Sequence, residues 1–389
     1  MNNWRKPWLD YGDVTRFAYA QHIGHPTAEL VTPALVVDID VLERNIGVMA
    51  DTLRDVPAML RPHTKVQKSP DIARLQLEAG AIGVTVASIW EAAAMGAAGV
   101  DDVLIANEIV GSGKIRAAAQ LARRIRLTVV VDDLRNIADL SEACVAEGTR
   151  MNVLVDLDVG MARCGARTAA EALKLGRAVA AASNLALVGI QAYEGHCMLE
   201  PDRDTRIRLA TTAMDYASSV KQILAEDGLS VPTLSGGGTG TYDLTGRRPE
   251  VTELQAGSYV FMDAFHGSLV PGFEVSLTVH STVVARHGDI VILDAGRKSI
   301  GIDFVTPSML GFDYVANFFA EEHGLFDVDD RFDGDVGDRV RLVCGYAPTT
   351  VNLHDVMFVA HGGDIVDVWP VFPRGPSHHG FLDTLNTEE

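Results

Sequence analysis

The stretch Ser-Gly-Gly-Gly-Thr-Gly-Thr, residues 235–241, is a glycine-rich turn that ends a series of eight apolar, strand-like runs. The runs are rich in Val, Ile and Leu, which is typical of parallel strands buried on both faces. Segments with helical spacing separate them, so the pattern predicts a (β/α)8 barrel with right-handed crossovers. The eight runs are Ala34 to Asp40, Met59 to Thr64, Ile82 to Ala87, Val103 to Ala106, Leu127 to Asp132, Met151 to Asp156, Leu187 to Tyr193 and Thr233 to Ser235.

A different pattern begins after about Phe265. Short alternating runs separated by Gly and Asp predict a mostly antiparallel β domain. The chain has 389 residues, which exceeds one barrel of roughly 250 residues and leaves room for this second domain. We expect residues 30–265 to form the barrel and residues 266–389 to form the β domain, joined by part of residues 1–29.

Composition restricts the class of partner. The chain carries 33 basic and 52 acidic residues, a net charge of −19, which disfavours nucleic acids and anionic membranes as partners. It lacks an apolar stretch of the roughly 20 residues that span a membrane, and its N-terminus lacks the apolar core of a signal peptide. Cys144, Cys164, Cys197 and Cys344 are far apart, as expected of reduced thiols. We therefore expect a cytoplasmic protein that acts on a small molecule.

Lys65 closes the second run, in Arg61-Pro62-His63-Thr64-Lys65. Barrels carry their reactive groups at the carboxyl ends of strands. Partial burial and the neighbouring cations His63 and Arg61 would lower the pKa of this ammonium and expose an amine able to form an imine.

The glycine run predicts a seat for one phosphate group. It does not match the GxxxxGK[ST] pattern, and it opens no βαβ unit of the dinucleotide-binding type. Loops at the end of a barrel do bind single phosphates, and Gly257, Ser258 and Tyr259 offer further donors nearby. An imine-forming lysine together with a single-phosphate seat indicates pyridoxal 5′-phosphate as cofactor.

Six motifs between about Thr32 and Arg374 carry a resemblance. They are Arg61 to Lys65, Asp158 to Gly165, Gln191 to Gly195, the glycine run, Gln255 to Tyr259 and Thr350 to Asp355. Together they resemble the D-threonine aldolase and D-serine dehydratase family. The resemblance implies an alanine racemase-like fold and a homodimer.

The same resemblance assigns the cofactor site. It makes Lys65 the residue that carries the cofactor, and it places Gly238, Thr239 and Gly240 on the phosphate. It also places Arg163 and Tyr193 near the pyridine ring, with a salt bridge from Arg163 to Asp156 or Asp158 as the alternative. We expect the cofactor site to include His63, Ser235, Gly257, Ser258 and Tyr259 as well.

His196 and Tyr346 are the other candidate catalytic residues. His196 follows the seventh run and is suited to general base catalysis at neutral pH, although a structural histidine is equally common there. His323 and His354 are weaker candidates. Relatives that use a divalent metal place His-x-Cys or His-x-Asp where this chain has Tyr346-Ala347-Pro348, and tyrosine and proline are poor metal ligands. We expect no metal site at this position.

Together with these residues, the resemblance implies a pyridoxal-phosphate-dependent lyase that cleaves the Cα–Cβ bond of a D-β-hydroxy-α-amino acid. Without a metal, β-elimination lacks the Lewis acid that helps to expel hydroxide, whereas retro-aldol cleavage needs only removal of the hydroxyl proton. The aldolase therefore ranks above a D-serine or D-threo-hydroxyaspartate dehydratase. An amino-acid racemase using Lys65 with Tyr346 or His196 is a further alternative. A non-enzymatic pyridoxal-phosphate carrier is the alternative outside enzymes.

Overall fold

Two sheets organise the part of the chain that this computed structural model describes, residues 4–375 and 382–386. The first sheet has eight parallel strands: β2 (Met59–Leu60), β3 (Val84–Val86), β4 (Asp102–Glu108), β5 (Arg126–Val131), β6 (Met151–Asp156), β7 (Leu185–Ala192), β8 (Thr233–Gly236) and β9 (Glu253–Leu254). The second has nine strands, most of them antiparallel: β1 (Ala34–Asp38), β10 (Leu277–His287), β11 (Ile290–Leu293), β12 (Ser308–Met309), β13 (Ala316–Phe319), β14 (Gly324–Asp327), β15 (Arg339–Val343), β16 (Val356–His361) and β17 (Asp364–Pro370). The predicted barrel followed by a mostly antiparallel β domain is confirmed.

The parallel sheet curls until its two edge strands meet. Its order is β2-β9-β8-β7-β6-β5-β4-β3, and His63, just beyond β2, bridges Thr85 of β3 in parallel register. The Thr85 N–H donates to the Pro62 carbonyl at 2.9 Å, and the Thr64 N–H donates to the Thr85 carbonyl at 2.8 Å. These bonds close the barrel beside Lys65.

The predicted first strand of the barrel, Ala34 to Asp40, belongs to the other sheet. β1 pairs antiparallel with β10 and parallel with β16. The eighth barrel strand is instead Glu253–Leu254, so the glycine run follows the seventh strand and Gly257 follows the eighth. The prediction was wrong because a run buried on both faces looks the same in either sheet, and a strand of two residues leaves no period to read.

Helices connect the strands, and several of them begin at side-chain caps. Ser69, Ser88 and Asp202 each accept a hydrogen bond from a backbone N–H of the helix that follows, and Thr168 forms a capping box with Glu171. The helices are α1 (Lys6–Tyr19), α2 (Ile39–Leu53), α3 (Pro70–Glu78), α4 (Ile89–Ala97), α5 (Ser112–Leu121), α6 (Leu134–Glu147), α7 (Ala169–Ala181), α8 (Arg203–Glu226), α9 (Tyr242–Thr245), α10 (Ala264–Gly267) and α11 (Ala347–Val351).

The first residues of the described chain contact both sheets. Trp8 of α1 is 2% exposed and packs within the barrel-side core. Pro26 bridges Asp364 of β17, and Tyr19 contacts Phe358 of β16. The domain limits 30–265 and 266–389 stay a prediction, with β1 as an exception; residues 376–381 and 387–389 of the second range lie outside the described residues. Within the described chain, no helix is long and apolar enough to cross a membrane.

Candidate active site

A cavity, partly open to solvent, lies at the carboxyl ends of the barrel strands. Nine predicted site residues line it: His63, Lys65, Arg163, Tyr193, Gly238, Thr239, Gly257, Ser258 and Tyr346. Six residues that the sequence did not assign to the site complete the lining: Val66, Ala106, Gln191, Met198, Gln255 and His266. The glycine run, Lys65 and Tyr346 therefore share one cavity.

Lys65 presents an unpaired amine to this cavity. Its Nζ forms no hydrogen bond or ion pair with any described residue, and it lies 5.8 Å from the centre of the Tyr193 ring. Burial lowers the pKa of Lys65, and the nearby Arg163 guanidinium lowers it further. A larger fraction of the neutral, nucleophilic amine results.

His63 and Arg61 were both expected to lower the pKa of Lys65, and the structure gives neither of them that role. Burial, followed by the charge of Lys65, lowers the pKa of His63 well below its usual range, so this imidazole is neutral. The Arg61 guanidinium instead pairs with Asp102 at 2.7 Å and Glu253 at 3.0 Å, at the opposite end of the barrel strands. Arg163 is the cation that faces Lys65.

The loops after β8 and β9 leave backbone donors free. The N–H groups of Thr239, Gly257 and Ser258 have no acceptor among the described residues. A Cβ on Gly257 would lie 2.6 Å from the His63 carbonyl oxygen, so only glycine allows this close approach. Three unpaired N–H groups lining one cavity fit the oxygens of a monophosphate ester.

Three other predicted cofactor residues lie behind this lining. The Ser235 hydroxyl accepts from Gln255 Nε2 at 2.9 Å, and the Gly240 N–H donates to Met198 Sδ at 3.3 Å. The Tyr259 N–H donates to Thr239 Oγ1 at 3.1 Å, while its phenol accepts from Gln76 Nε2 at 2.8 Å. Their direct contact with a cofactor stays a prediction.

Glu194 supports the glycine run through hydrogen bonds. It is fully buried, and its carboxylate accepts from the Gly237 N–H at 3.0 Å and the Thr241 hydroxyl at 2.7 Å, and also from the Thr245 hydroxyl. Three donors satisfy this buried carboxyl group and fix the loop. The sequence motif Tyr193-Glu194-Gly195 was part of the resemblance, but only the structure gives Glu194 this role.

Arg163 lies against the Tyr193 ring, with its guanidinium carbon 5.7 Å from the ring centre. Among the described residues it forms no ion pair within 4.0 Å, so the alternative salt bridge is not formed. Asp158 instead accepts from the Gly160 and Ala162 N–H groups, each at 3.0 Å. Arg163 is therefore available to a group in the cavity.

A chain of buried polar side chains forms the floor of the site. Gln255 Nε2 donates to Gln191 Oε1 at 3.1 Å, and Gln191 Nε2 donates to Asp156 Oδ1 at 2.8 Å. Burial raises the pKa of Asp156 to about 7, and the nearby Glu108 carboxylate acts in the same direction.

His266 and Asp263 form a pair on the opposite wall. His266 lines the cavity, and its Nδ1 lies 2.8 Å from Oδ1 of the fully buried Asp263. The other oxygen of Asp263 accepts from the Ala347 N–H at 2.8 Å, beside Tyr346. The spacing Asp-x-x-His was the only available sequence signal, and it is also that of an ordinary helix N-cap.

His196 is not part of the cavity lining. Its Nε2 lies 3.7 Å from Cys197 Sγ, and its Nδ1 is buried without a hydrogen-bond partner among the described residues. The role of His196 as general base stays a prediction.

Tyr346 and Pro348, which stand where metal-using relatives carry their ligands, belong to a helix start: Tyr346 is the N-cap of α11 and Pro348 lies in its first turn. In the described part of the chain, one group of three possible ligand atoms lies within 4.8 Å, from Glu108, Asp132 and Cys164.

Comparisons with known proteins agree with this architecture. Residues 37–264 match the family model for the alanine racemase N-terminal domain, and residues 274–360 match that for a putative serine dehydratase domain. These two domains in this order define an alanine racemase-like protein. The chain belongs, within that class, to the D-threonine aldolase and D-serine dehydratase family, and the chain is an enzyme.

Several relatives cover almost the whole chain. A D-threonine aldolase from Arthrobacter sp is 37% identical, over 90% of this chain and 95% of its own. A 3-hydroxy-D-aspartate aldolase from Paracoccus denitrificans is 36% identical, over 91% and 95%. The crystal structure of D-threonine aldolase from Filomicrobium marinum superposes with a TM-score of 0.88 at 38% identity, covering 90% of this chain and 97% of that one.

Proposed function

We propose that the protein is a pyridoxal-phosphate-dependent lyase that cleaves the Cα–Cβ bond of a D-β-hydroxy-α-amino acid into an aldehyde and glycine or a close analogue. The observation that carries this proposal is the unpaired Lys65 amine in one cavity with three unpaired N–H groups. The relatives named aldolases, at 36% and 37% identity, support the choice of reaction.

The residues that line the cavity have separate tasks. When bound, pyridoxal phosphate supplies a conjugated system that holds the electron pair of a broken bond to Cα. Lys65 supplies the amine that anchors it, and the N–H groups of Thr239, Gly257 and Ser258 bind its phosphate. Arg163 lies near Lys65 and Tyr193, where a cation next to the ring nitrogen would keep that nitrogen unprotonated.

The state of Tyr346 disfavours a racemase that would use Tyr346 as its second base. Burial raises the pKa of Tyr346 to about 12, so its phenol is protonated at neutral pH and donates a hydrogen bond rather than accepting a proton. A racemase needs a second base on the opposite face of the substrate.

A screen of the purified protein tests the function. D- and L-β-hydroxy amino acids are supplied, and aldehyde, keto acid and enantiomer are measured together. We expect aldehyde from D substrates; keto acid as the main product would indicate a dehydratase, and the enantiomer a racemase. Borohydride reduction followed by peptide mapping should place the cofactor on Lys65, and an adduct on another lysine would overturn the site.

Metal dependence is tested separately. We expect activity to persist in strong chelator, with no stoichiometric zinc or manganese by elemental analysis. If chelation abolishes activity, the group Glu108, Asp132 and Cys164 is the first place to substitute.

We also propose a cytoplasmic homodimer. The four cysteines are free thiols, which supports a reducing compartment. Sedimentation at micromolar concentration tests the dimer, and finding only monomers would contradict it.

A further inference from the structure

Asp263 and His266 form a hydrogen-bonded pair that has no role in the function proposed so far. Asp263 is fully buried, and three N–H groups donate to its carboxylate: the His266 backbone N–H and ring Nδ1 on Oδ1, and the Ala347 N–H on Oδ2, each at 2.8 Å. A buried carboxylate with this many donors is held in one position. It fixes both the imidazole and the turn that carries Tyr346.

This arrangement determines which nitrogen of His266 is available. Both oxygens of Asp263 already accept backbone N–H groups, so the ring hydrogen lies on Nδ1 and donates to Oδ1. Nε2 then carries a lone pair. It has no hydrogen-bond partner among the described residues, and His266 is part of the cavity lining.

We propose that His266, oriented by Asp263, is the general base that takes the proton of the substrate's β-hydroxyl group. This inference rests on the proposed lyase function. The O–H proton passes to Nε2 and the carbonyl double bond forms as the Cα–Cβ bond breaks. The electron pair of that bond stays on the Cα side until Cα takes up a proton, and the aldehyde leaves. Asp263 is a positioning residue.

Other titratable groups on the cavity wall are less suited to this step. Burial raises the pKa of Tyr346 to about 12 and also raises that of Tyr193, so both phenols keep their protons. His63 accepts from the Lys65 backbone N–H at 3.5 Å, and burial lowers its pKa well below the usual range. Lys65 is committed to the cofactor. His266 remains, with Nε2 unpaired and its side chain on the cavity wall.

Tyr346 supports the same assignment by its position. Its ring lies nearly parallel to that of His266, with an interplanar angle of 19° and centres 5.9 Å apart. A protonated phenol and an imidazole lone pair thus face one region of the cavity. One can donate to a substrate oxygen while the other removes its proton.

The test compares His266→Ala with His361→Ala in the holoenzyme. His361 also pairs with an aspartate, Asp40 at 2.9 Å, but its side chain is 64% exposed and outside the cavity lining. For aldehyde release from a D-β-hydroxy substrate, we expect kcat of His266→Ala to fall about 10²- to 10⁴-fold with a smaller change in KM, and added imidazole to restore part of it. His361→Ala should match the wild type within about twofold.

A second substrate separates chemistry from folding. D-Alanine has no β-hydroxyl group, so exchange of its α-proton with D₂O should change less than about threefold in His266→Ala. Asp263→Asn should also lower kcat for aldehyde release, with D-alanine exchange again changed less than about threefold, because the imidazole loses the carboxylate that orients it.

Each result has a distinct meaning. Unchanged aldehyde release by His266→Ala overturns the assignment of the base, and an equal loss of D-alanine exchange assigns His266 a structural role and overturns it too. If the wild type releases no aldehyde from any D-β-hydroxy substrate, the proposed function itself fails.

Discussion

The two walls of the cavity differ in how they are built. The barrel wall, formed by Lys65, Thr239, Gly257 and Ser258, presents backbone N–H groups and one amine. Glu194 supports it by accepting hydrogen bonds from the glycine run. The second wall, formed by His266 and Tyr346 with Asp263 and Phe304 packed against them, presents an imidazole and a phenol.

Phe304 shows how different the second wall is. It has a φ of +63°, which is rare for a bulky residue, and it is 60% exposed. The centre of its ring lies 4.7 Å from that of Phe265 and 4.9 Å from that of Tyr346. A wall of backbone N–H groups keeps its chemistry when side chains change, whereas a wall of side chains changes its chemistry by substitution. We infer that the barrel wall determines the cofactor and the second wall determines the reaction.

Lys65→Ala gives the largest expected effect and tests the barrel wall. Turnover should fall by about 10⁴-fold or more, because the imine-forming amine is lost. The cofactor should still bind weakly through its phosphate, as measured by equilibrium dialysis. The exposed Lys298→Ala is the control. Loss of all cofactor binding in Lys65→Ala would mean that the N–H groups do not form a phosphate seat.

Tyr346→Phe tests the second wall. One hydrogen bond to a charged or developing charge contributes about 1.5–3 kcal/mol, so kcat should fall about tenfold to a hundredfold while cofactor affinity stays the same. Tyr216→Phe, which removes a surface hydrogen bond to the Arg167 carbonyl, is the matched control. A matching loss of cofactor affinity would contradict the division between the walls.

Glu194→Gln tests the support beneath the barrel wall. The amide cannot accept from the Gly237 N–H while its oxygen accepts from Thr241, so one buried donor loses its partner. We expect cofactor affinity to fall about tenfold with kcat at saturating cofactor nearly unchanged. Glu226→Gln on the exposed face of α8 is the control. A kcat effect larger than the affinity effect would place Glu194 in the chemistry.

Asp156→Asn has the smallest expected effect on turnover, below about threefold, because Asp156 lies outside the cavity lining. Its effect is on stability. The pKa of Asp156 rises from 3.8 to about 7 on folding, so its contribution to stability is complete below about pH 4 and is lost as the pH rises toward 7. The variant should gain roughly 1–4 kcal/mol over the wild type at pH 8 and little at pH 4, by urea unfolding. An equal difference in the free energy of unfolding between variant and wild type at both pH values would contradict this prediction.

The sequence predicts the barrel wall better than the second wall. Strand β6 has the predicted limits, and Lys65 and the glycine run share a cavity because the barrel order places strand ends together. Helix α1 was missed because Trp8 is its only buried residue, which leaves no apolar period. His266 was missed because its partners, Asp263 and Tyr346, come together only through tertiary packing between α10 and the start of α11.

Strand β1 has a consequence for synthesis of the chain on the ribosome. The barrel strands follow one another from Met59 to Leu254, so their partners emerge in order. β1 is made before all of them, yet Val36 finally lies opposite Phe358. Until β16 emerges, one edge of β1 keeps unpaired N–H and carbonyl groups, and such edges promote aggregation. Substitutions that weaken β16 should therefore reduce the yield of soluble protein more than the specific activity of the molecules that fold.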